Sequence, residues 1–336
     1  MSSTLDRAVV VKKETTYGTY VAPDRAIEFL EADTSFSSEP TIVQGQGSRA
    51  GELLDSGARS VVVRQDVPGS IGWELLPKGQ GVLWELLTGA AASTLVSGTT
   101  YQQVATLAAQ IPSFTCQEQW YLVGADTSDA FTAAVYSWLG CKATDWTLTM
   151  PHDGIPTVKL GVNGRAKDMG QSAVAVTLPA TTTQPYHGAN LTVSTGTLTA
   201  ATTTALASAT AVVPGFETAT ITVSNNLNTA RPGSAGLKGN PVPQKREITI
   251  SMTIEHRDNS WETALANQTT ATLLFDYSGL ALSSGTERCQ IAFADCRVSK
   301  VTKKVEDGMP KQDIELKVAW TATSLQVVNR TSDSAL

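Results

Sequence analysis

The residues of this chain whose types suit chemistry are scattered. His152, His187 and His256 lie far apart, and none stands beside a cysteine at zinc-finger spacing, so they form no metal-ligand pattern. Gly45-Gln46-Gly47-Ser48-Arg49-Ala50-Gly51 has the glycines of a phosphate-binding loop, which works only where a strand leads in and a helix N-terminus follows to meet the phosphates. Pro40 precedes it and no helical pattern follows, so a flexible loop is expected. No Gly-x-Ser-x-Gly elbow is present to hold a nucleophilic serine. Cys116, Cys141, Cys289 and Cys296 contain no CxxC pair and read as reduced, mostly buried thiols. The reading is therefore of a chain with no catalytic, cofactor-binding or metal-binding residues, and not of an enzyme.

Other candidates point towards surfaces rather than reactions. Lys300, Lys303, Lys304 and Lys311 cluster near one Asp-Gly pair, as the solvated end of a hairpin or, in a sharper reading, as an ion-pairing edge between subunits. Trp73, Trp84, Trp138, Trp146, Trp261 and Trp320 are spread over expected strands and helices, not interleaved with Lys and Arg as a base-stacking platform would be. They are expected in the core or at a subunit interface. Three Asn-x-Thr triplets, at Asn190, Asn267 and Asn329, are unremarkable in so threonine-rich a chain.

The elements that carry these residues occur twice, in the same order. Gly140-Cys141-Lys142-Ala143-Thr144 followed by Asp153-Gly154-Ile155-Pro156 resembles Asp295-Cys296-Arg297-Val298-Ser299 followed by Asp307-Gly308-Met309-Pro310. After each Asp-Gly come alternating apolar residues: Val158, Leu160 and Val162, then Ile314, Leu316, Val318 and Trp320. Period-two alternation places one strand face on a core, and Asp-Gly suits the positive φ of a tight hairpin turn. Upstream, the strand Ile71, Trp73, Leu75 leads to a short helix over Gly81 to Leu87. Ile248 to Ile254 likewise leads to a helix over Asn259 to Ala266, capped by Asp258 or Asn259.

Further upstream, a strand from Ala26 continuing to Phe36 precedes the long segment Glu39 to Arg59, and a strand over Ala219 to Val223 precedes Thr229 to Lys245. Long loops in compact domains usually serve a function or are disordered. These two, at equivalent places, are expected to be interaction arms. Gln171 to Pro214, rich in Thr and Ala, reads as a linker whose Ala189 to Leu198 stretch makes a hairpin turning at Thr-Gly-Thr. Ala90 to Gln110 reads as a surface insertion.

Composition limits the classes. A length of 336 residues suits one large domain or two ordinary ones. Charged residues are 17% and hydrophobic residues 41%, with many β-branched positions, which favours β structure. The net charge of -6 runs against a nucleic-acid reader, whose affinity comes from clustered Lys and Arg. The polar start, with Lys12, Lys13 and Glu14, lacks a secretory signal, and no apolar run is long enough to cross a membrane, so a soluble product is expected.

Lys13-Glu14-Thr15-Thr16-Tyr17-Gly18-Thr19, the strand Ile27 to Leu30, Gly69-Ser70-Ile71 with Glu74-Leu75, Leu86-Leu87-Thr88-Gly89, and Thr220 to Leu227 together resemble siphophage tail tube proteins. The resemblance implies a mainly β fold: two tandem tube domains of β-sandwich or barrel type, residues 1–170 and 171–336, each with one short flanking α-helix. It implies a structural virion protein that self-assembles in the host cytoplasm into stacked rings around a channel. DNA passes through that channel without specific binding, and the tape measure, tail terminator and distal tail proteins are further partners. Duplication favours three chains per ring, a homotrimer with pseudo-sixfold symmetry. The inter-ring loop residues are expected to include Glu39, Gln44, Arg49, Glu52, Asp55, Arg59, Arg231, Lys238 and Lys245, with Asp153, Gly154, Asp307 and Gly308 at the repeated hairpin turns. The fold is shared with contractile-tail and type VI secretion tubes, and a β-sandwich adhesion or carbohydrate-binding protein is the rival from another class.

Overall fold

The structure is a computed structural model that describes residues 7–45, 59–120, 134–178, 183–233, 237–306, 308–319 and 324–336. The N-terminal half contains β1 (Arg7–Lys13), β2 (Arg25–Ile27), β3 (Ser35–Phe36), β4 (Glu39–Gln44), β5 (Ser60–Glu74), α1 (Gly81–Thr88), β6 (Gly89–Ser97), β7 (Thr100–Leu107), β8 (Phe114–Trp120), β9 (Ala134–Pro151), β10 (Thr157–Gly164) and β11 (Ala166–Asp168). The C-terminal half contains β12 (Leu191–Thr199), β13 (Ser208–Val212), β14 (Phe216–Ser224), β15 (Leu227–Asn228), β16 (Val242–Pro243), β17 (Glu247–Glu255), α2 (Ser260–Asn267), β18 (Thr270–Ala281), β19 (Thr286–Glu306), β20 (Met309–Val318) and β21 (Leu325–Thr331). The fold is mainly β, with all strand pairs antiparallel.

The strand pairings of one half recur in the other. In the first, β1 lies between β2 and β8, and β8 is followed by the start of β9 and by β11. In the second, β12 lies between β13 and β18, followed by the start of β19 and by β21. The end of β9 then runs beside β10, β5 and β3, as the end of β19 runs beside β20, β17 and β14. The extra residue of a bulge bends the long strand in both halves. In β9 the break falls between Trp138 and Cys141, at Gly140 with φ 64°, and in β19 it falls between Phe293 and Cys296.

Alternation explains which face is buried. Ile248, Ile250, Met252 and Ile254 of β17 are buried, as are Val158, Leu160 and Val162 of β10 and Ala219, Ile221 and Val223 of β14. The main hydrophobic core spans both halves and includes the edge-on pair Trp84–Trp146 under α1, while a smaller cluster gathers Ala201, Ala207, Leu274, Ala292 and Val328. On α2, Trp261 is buried with Leu265 packed against the core beside it. The N–H of Ser260 donates to Asp258 Oδ1, while Asn259 Oδ1 accepts from Lys303 Nζ.

Three sequence expectations change. Gly196, expected to turn a hairpin, lies inside β12 with φ 94° where the register to β13 shifts; a strand glycine can mark a bulge as readily as a turn. The Ala90 to Gln110 stretch is more than a surface insertion. It forms the hairpin β6–β7, and β7 pairs with β21, so this part of the first half extends the sheet of the second. The C-terminal residues are sewn over it: Gln103 donates to the carbonyls of Asp333 and Ala335, and Arg25 to that of Leu336. Finally, the strand from Ala26 divides into β2, which pairs with β1, and a bridge at Phe29 followed by β3, which pair with β5.

Candidate functional site

The Glu14 carboxylate fastens the N-terminal turn to the bend of β9. Its Oε1 accepts from the N–H of Gly140 and the hydroxyl of Thr115, and its Oε2 accepts from the N–H of Gly18. A bulge residue leaves the ladder, and its N–H then needs another acceptor. Glu14 supplies it from a buried position. Tyr17 packs beside Gly140, and burial pushes its phenol up to about 12 against the opposing Arg165 charge. These contacts give Lys13 to Thr19 a structural role that no local pattern could reveal.

The halves meet edge to edge. The end of β9 pairs with β14 from Asp145↔Ser224 to Pro151↔Thr218. One sheet therefore runs β3, β5, β10, β9, β14, β17, β20, β19. At one end of this joint the buried Asn225 donates twice, from its N–H to the carbonyl of Thr144 and from its amide to that of Ala143. The edges that terminate the sheet are β3 and the end of β19, and among the described residues neither has a strand on its outer side. Open edges are templates for pairing with another chain.

The outer face of this sheet carries the residues that alternate with the core. Thr147 and Thr149 of β9, Thr220 and Thr222 of β14, and Thr249 and Thr253 of β17 belong to it. Three of its lysines sit beside carboxylates: Lys159 Nζ lies 2.7 Å from Asp33, Lys304 3.1 Å from Asp313, and Lys311 2.7 Å from Glu217.

The two long segments leave corresponding corners of this sheet as two-stranded ribbons with the same irregularity. In the first, Thr41↔Arg64 is followed by Ile42↔Val62 and Val43↔Val61, a one-residue shift. In the second, β14 against β17 ends at Ser224↔Glu247 and continues as Leu227↔Pro243 and Asn228↔Val242, again shifted by one. Their surroundings differ. The second ribbon folds onto the first half, where Lys142 Nζ donates to the carbonyl of Pro241. Lys238 is buried between Asp66, with which it forms an ion pair, and Asn163, whose Oδ1 it meets at 2.9 Å. Burial lowers the Lys238 ammonium to about 8, Arg64 adds to the effect, and Glu39 opposes it. Beyond its base the first ribbon has no other strand lying on it among the described residues, and Ile42, Val43, Val61, Val62 and Val63 are each about half exposed.

The sequence-proposed loop residues thus have different fates. Glu39 begins β4 opposite Asp66 and Gln44 ends it opposite Ser60, while the carbonyl of Arg59 accepts from the N–H of Gly45. Arg49, Glu52, Asp55 and Asp307 lie outside the described residues. Arg231 Nη1 donates to the carbonyl of Asn240, and the carbonyl of Lys245 accepts from Asn226. The structure brings Glu39 and Lys238 into one cluster at the base of the ribbons. At the hairpins, Glu306 pairs directly with Met309, a two-residue connection in which Gly308 has φ 76°. The Asp153-Gly154 connection is wider, since β9 ends at Pro151 and β10 begins at Thr157, and the Gly154 carbonyl accepts from the N–H of Gly188.

Among the described residues, no group of His, Cys, Asp and Glu is arranged to hold a metal ion, and no helix is long and apolar enough to cross a membrane. All four cysteines are free and buried, and burial raises each thiol, Cys296 to about 12. No curated protein matches the chain. A family model described as phage tail tube protein matches residues 4–322, and the chain belongs to that family.

Proposed function

We propose that this tail tube protein closes rings of three chains by repeating, between chains, the joint it makes between its own halves. Membership of the family supports a structural protein that self-assembles into a tube in the virion tail. The observation that carries the finer reading is the β9–β14 joint together with the two open edges. β19 corresponds to β9, and Phe29 with β3 corresponds to β14, so the free end of β19 seeks the β3 edge of the next chain. On this reading residues 1–170 and 171–336 are duplicated tube domains, and the ring is a homotrimer with pseudo-sixfold symmetry, the arrangement of a siphophage-type tube.

The internal joint supplies the register. Asp145↔Ser224 becomes Lys300 opposite Glu39, and Thr147↔Thr222 becomes Thr302 opposite Ser37. The Lys300–Glu39 pair places opposite charges across the seam, a favourable cross-strand arrangement. The correspondence also places Pro40, which has no N–H, where Asn225 makes its two bonds.

The threonine face of the eight-strand sheet then lines the channel. Three of its lysines, Lys159, Lys304 and Lys311, are already paired with Asp33, Asp313 and Glu217. Such a hydrophilic wall, with much of its cationic charge paired, gives DNA phosphates little to adhere to. The free ribbon extends β5 past the sheet end, along the strand direction, towards the next ring.

The register is tested by Ser37→Cys combined with Thr302→Cys. In the internal joint the N–H of His152 donates to the Glu217 carbonyl and that of Asn225 to the Thr144 carbonyl. The pair Thr147↔Thr222 is therefore a non-hydrogen-bonded one, whose side chains approach closely enough for a disulfide. Oxidised assemblies are expected to run as covalent trimers on denaturing gels, against a background of buried native thiols. Ser37→Cys with Val301→Cys puts the thiols on opposite faces and is expected to stay uncrosslinked. Covalent hexamers, or efficient crosslinking of the slipped pair, overturns the reading, as does a cryo-EM cross-section with six chains per ring.

A further inference from the structure

We propose that the free β4–β5 ribbon is an arm that lies on the C-terminal half of a neighbouring copy, where the partner's Arg297 donates to the backbone carbonyl of Ser60. The proposal rests on the edge-to-edge ring reading and adds a second, separate contact to it.

The template is the ribbon that the chain folds onto itself. The same one-residue shift occurs in both ribbons, so Val43↔Val61 corresponds to Asn228↔Val242. Ser60 then corresponds to Pro241, whose carbonyl accepts from Lys142. Lys142 follows Cys141 just after the bend of β9, and Arg297 follows Cys296 just after the bend of β19. Arg297 is exposed, whereas Lys142 is buried beneath the ribbon that covers it. A basic side chain thus stands ready at the second site with no ribbon over it among the described residues.

Among the described residues, the ground beside it is open as well. On the first half, Lys238 fills the space between Asp66 of β5 and Asn163 of β10. The register relates Asp66 to Glu247 and Asn163 to Lys317. Those two residues line a groove of about 670 Å³ with Ala109, Arg246, Ile248 and Val318. Ala109, Ile248 and Val318 give the groove an apolar part, and the free ribbon has matching surface in Ile42, Val43, Val61 and Val62. A two-stranded ribbon is marginal alone in water and gains by lying on a larger surface. The chain cannot place its own first ribbon there, because that ribbon springs from the opposite end of the eight-strand sheet. A second copy presented at the β19 edge brings it to the place where the first half receives the second ribbon.

The test uses full-length protein with Ser60→Cys and Arg297→Cys, treated after assembly with a short bis-maleimide. Lys142→Cys with Pro241→Cys serves as the internal control, and Ser37→Cys with Thr302→Cys reports the edge joint separately. Crosslinking between chains by the 60/297 pair, to an extent within about twofold of the internal control, is the expected result. If the 37/302 pair closes trimers while the 60/297 pair stays monomeric, the arm proposal is overturned and the ring reading stands. If both pairs fail in assembled tubes, both are overturned. A second readout uses Ala109→Trp at the exposed rim of the groove: hydrogen exchange in residues 39–44 of the assembled tube is expected to rise at least tenfold over the parent. Unchanged exchange sinks the proposal.

Discussion

Lys303→Pro is expected to abolish tube formation while leaving the free chain folded. Along β20, the bond from the N–H of His256 to the Pro310 carbonyl shows that Gln312 and Ile314 point their backbone groups towards β17. Lys311 and Asp313 therefore serve β19, through Lys304 and Thr302. The backbone of Lys303, between them, points to the open side. Proline there removes a donor that the free chain does not use, and edge strands tolerate proline for that reason. The remaining losses are two exposed contacts of the Lys303 ammonium, the ion pair with Glu262 at 3.0 Å, worth at most about 1 kcal/mol, and the hydrogen bond to Asn259 Oδ1. At concentrations where the parent forms tubes, negative-stain microscopy should find none, a loss of at least about a hundredfold in assembly, while the thermal midpoint moves by only a few degrees. Tubes in normal yield would mean that the end of β19 is not a seam.

The opposite outcome is expected for Glu14→Ala, which removes the acceptor for two backbone N–H groups and one hydroxyl in a buried corner. Each orphaned buried donor costs about 1–3 kcal/mol, so a total near 3 kcal/mol is expected after partial relaxation. This loss appears in the isolated chain, by chemical denaturation, and precedes any effect on assembly. Glu14→Gln is expected to recover only part of it, because the amide offers one acceptor oxygen to a site that holds three donors. An unfolding free energy within about 0.5 kcal/mol of the parent would show that Gly140 has another acceptor.

How much of this was legible depended on the range of the interactions involved. Ile248 to Ile254 and Val158 to Val162 alternate cleanly because one face of each strand is buried, and local pattern suffices there. The helices were readable from Trp261 and Leu265 or from Val82 to Leu87, within a residue of their ends. Gly196 misled because glycine serves bulges and turns alike. The clasp β6–β7 was invisible because Gly89 to Ser97 is small and aperiodic, and its partner β21 lies more than two hundred residues away. The joint between the halves had no sequence signal of its own. Thr220 and Thr149 are ordinary strand residues until β9 and β14 are seen side by side. The loops announced themselves by length alone, which could not tell that Lys238 would be buried against Asp66 while Ile42 and Val62 stayed in solvent.

The difference between Asn225 and Pro40 bears on how a tube of such chains would break. Around a ring, seams held within a chain would alternate with seams held between chains. The former carry the two extra bonds of Asn225 and are tethered through residues 171–190, so a ruptured seam re-forms at high effective concentration. The latter have a proline at that point and no tether. A bent or stretched tail would therefore not weaken evenly around its circumference: every second seam would be a line of least resistance, and fragments would come away as whole chains with their internal joint intact.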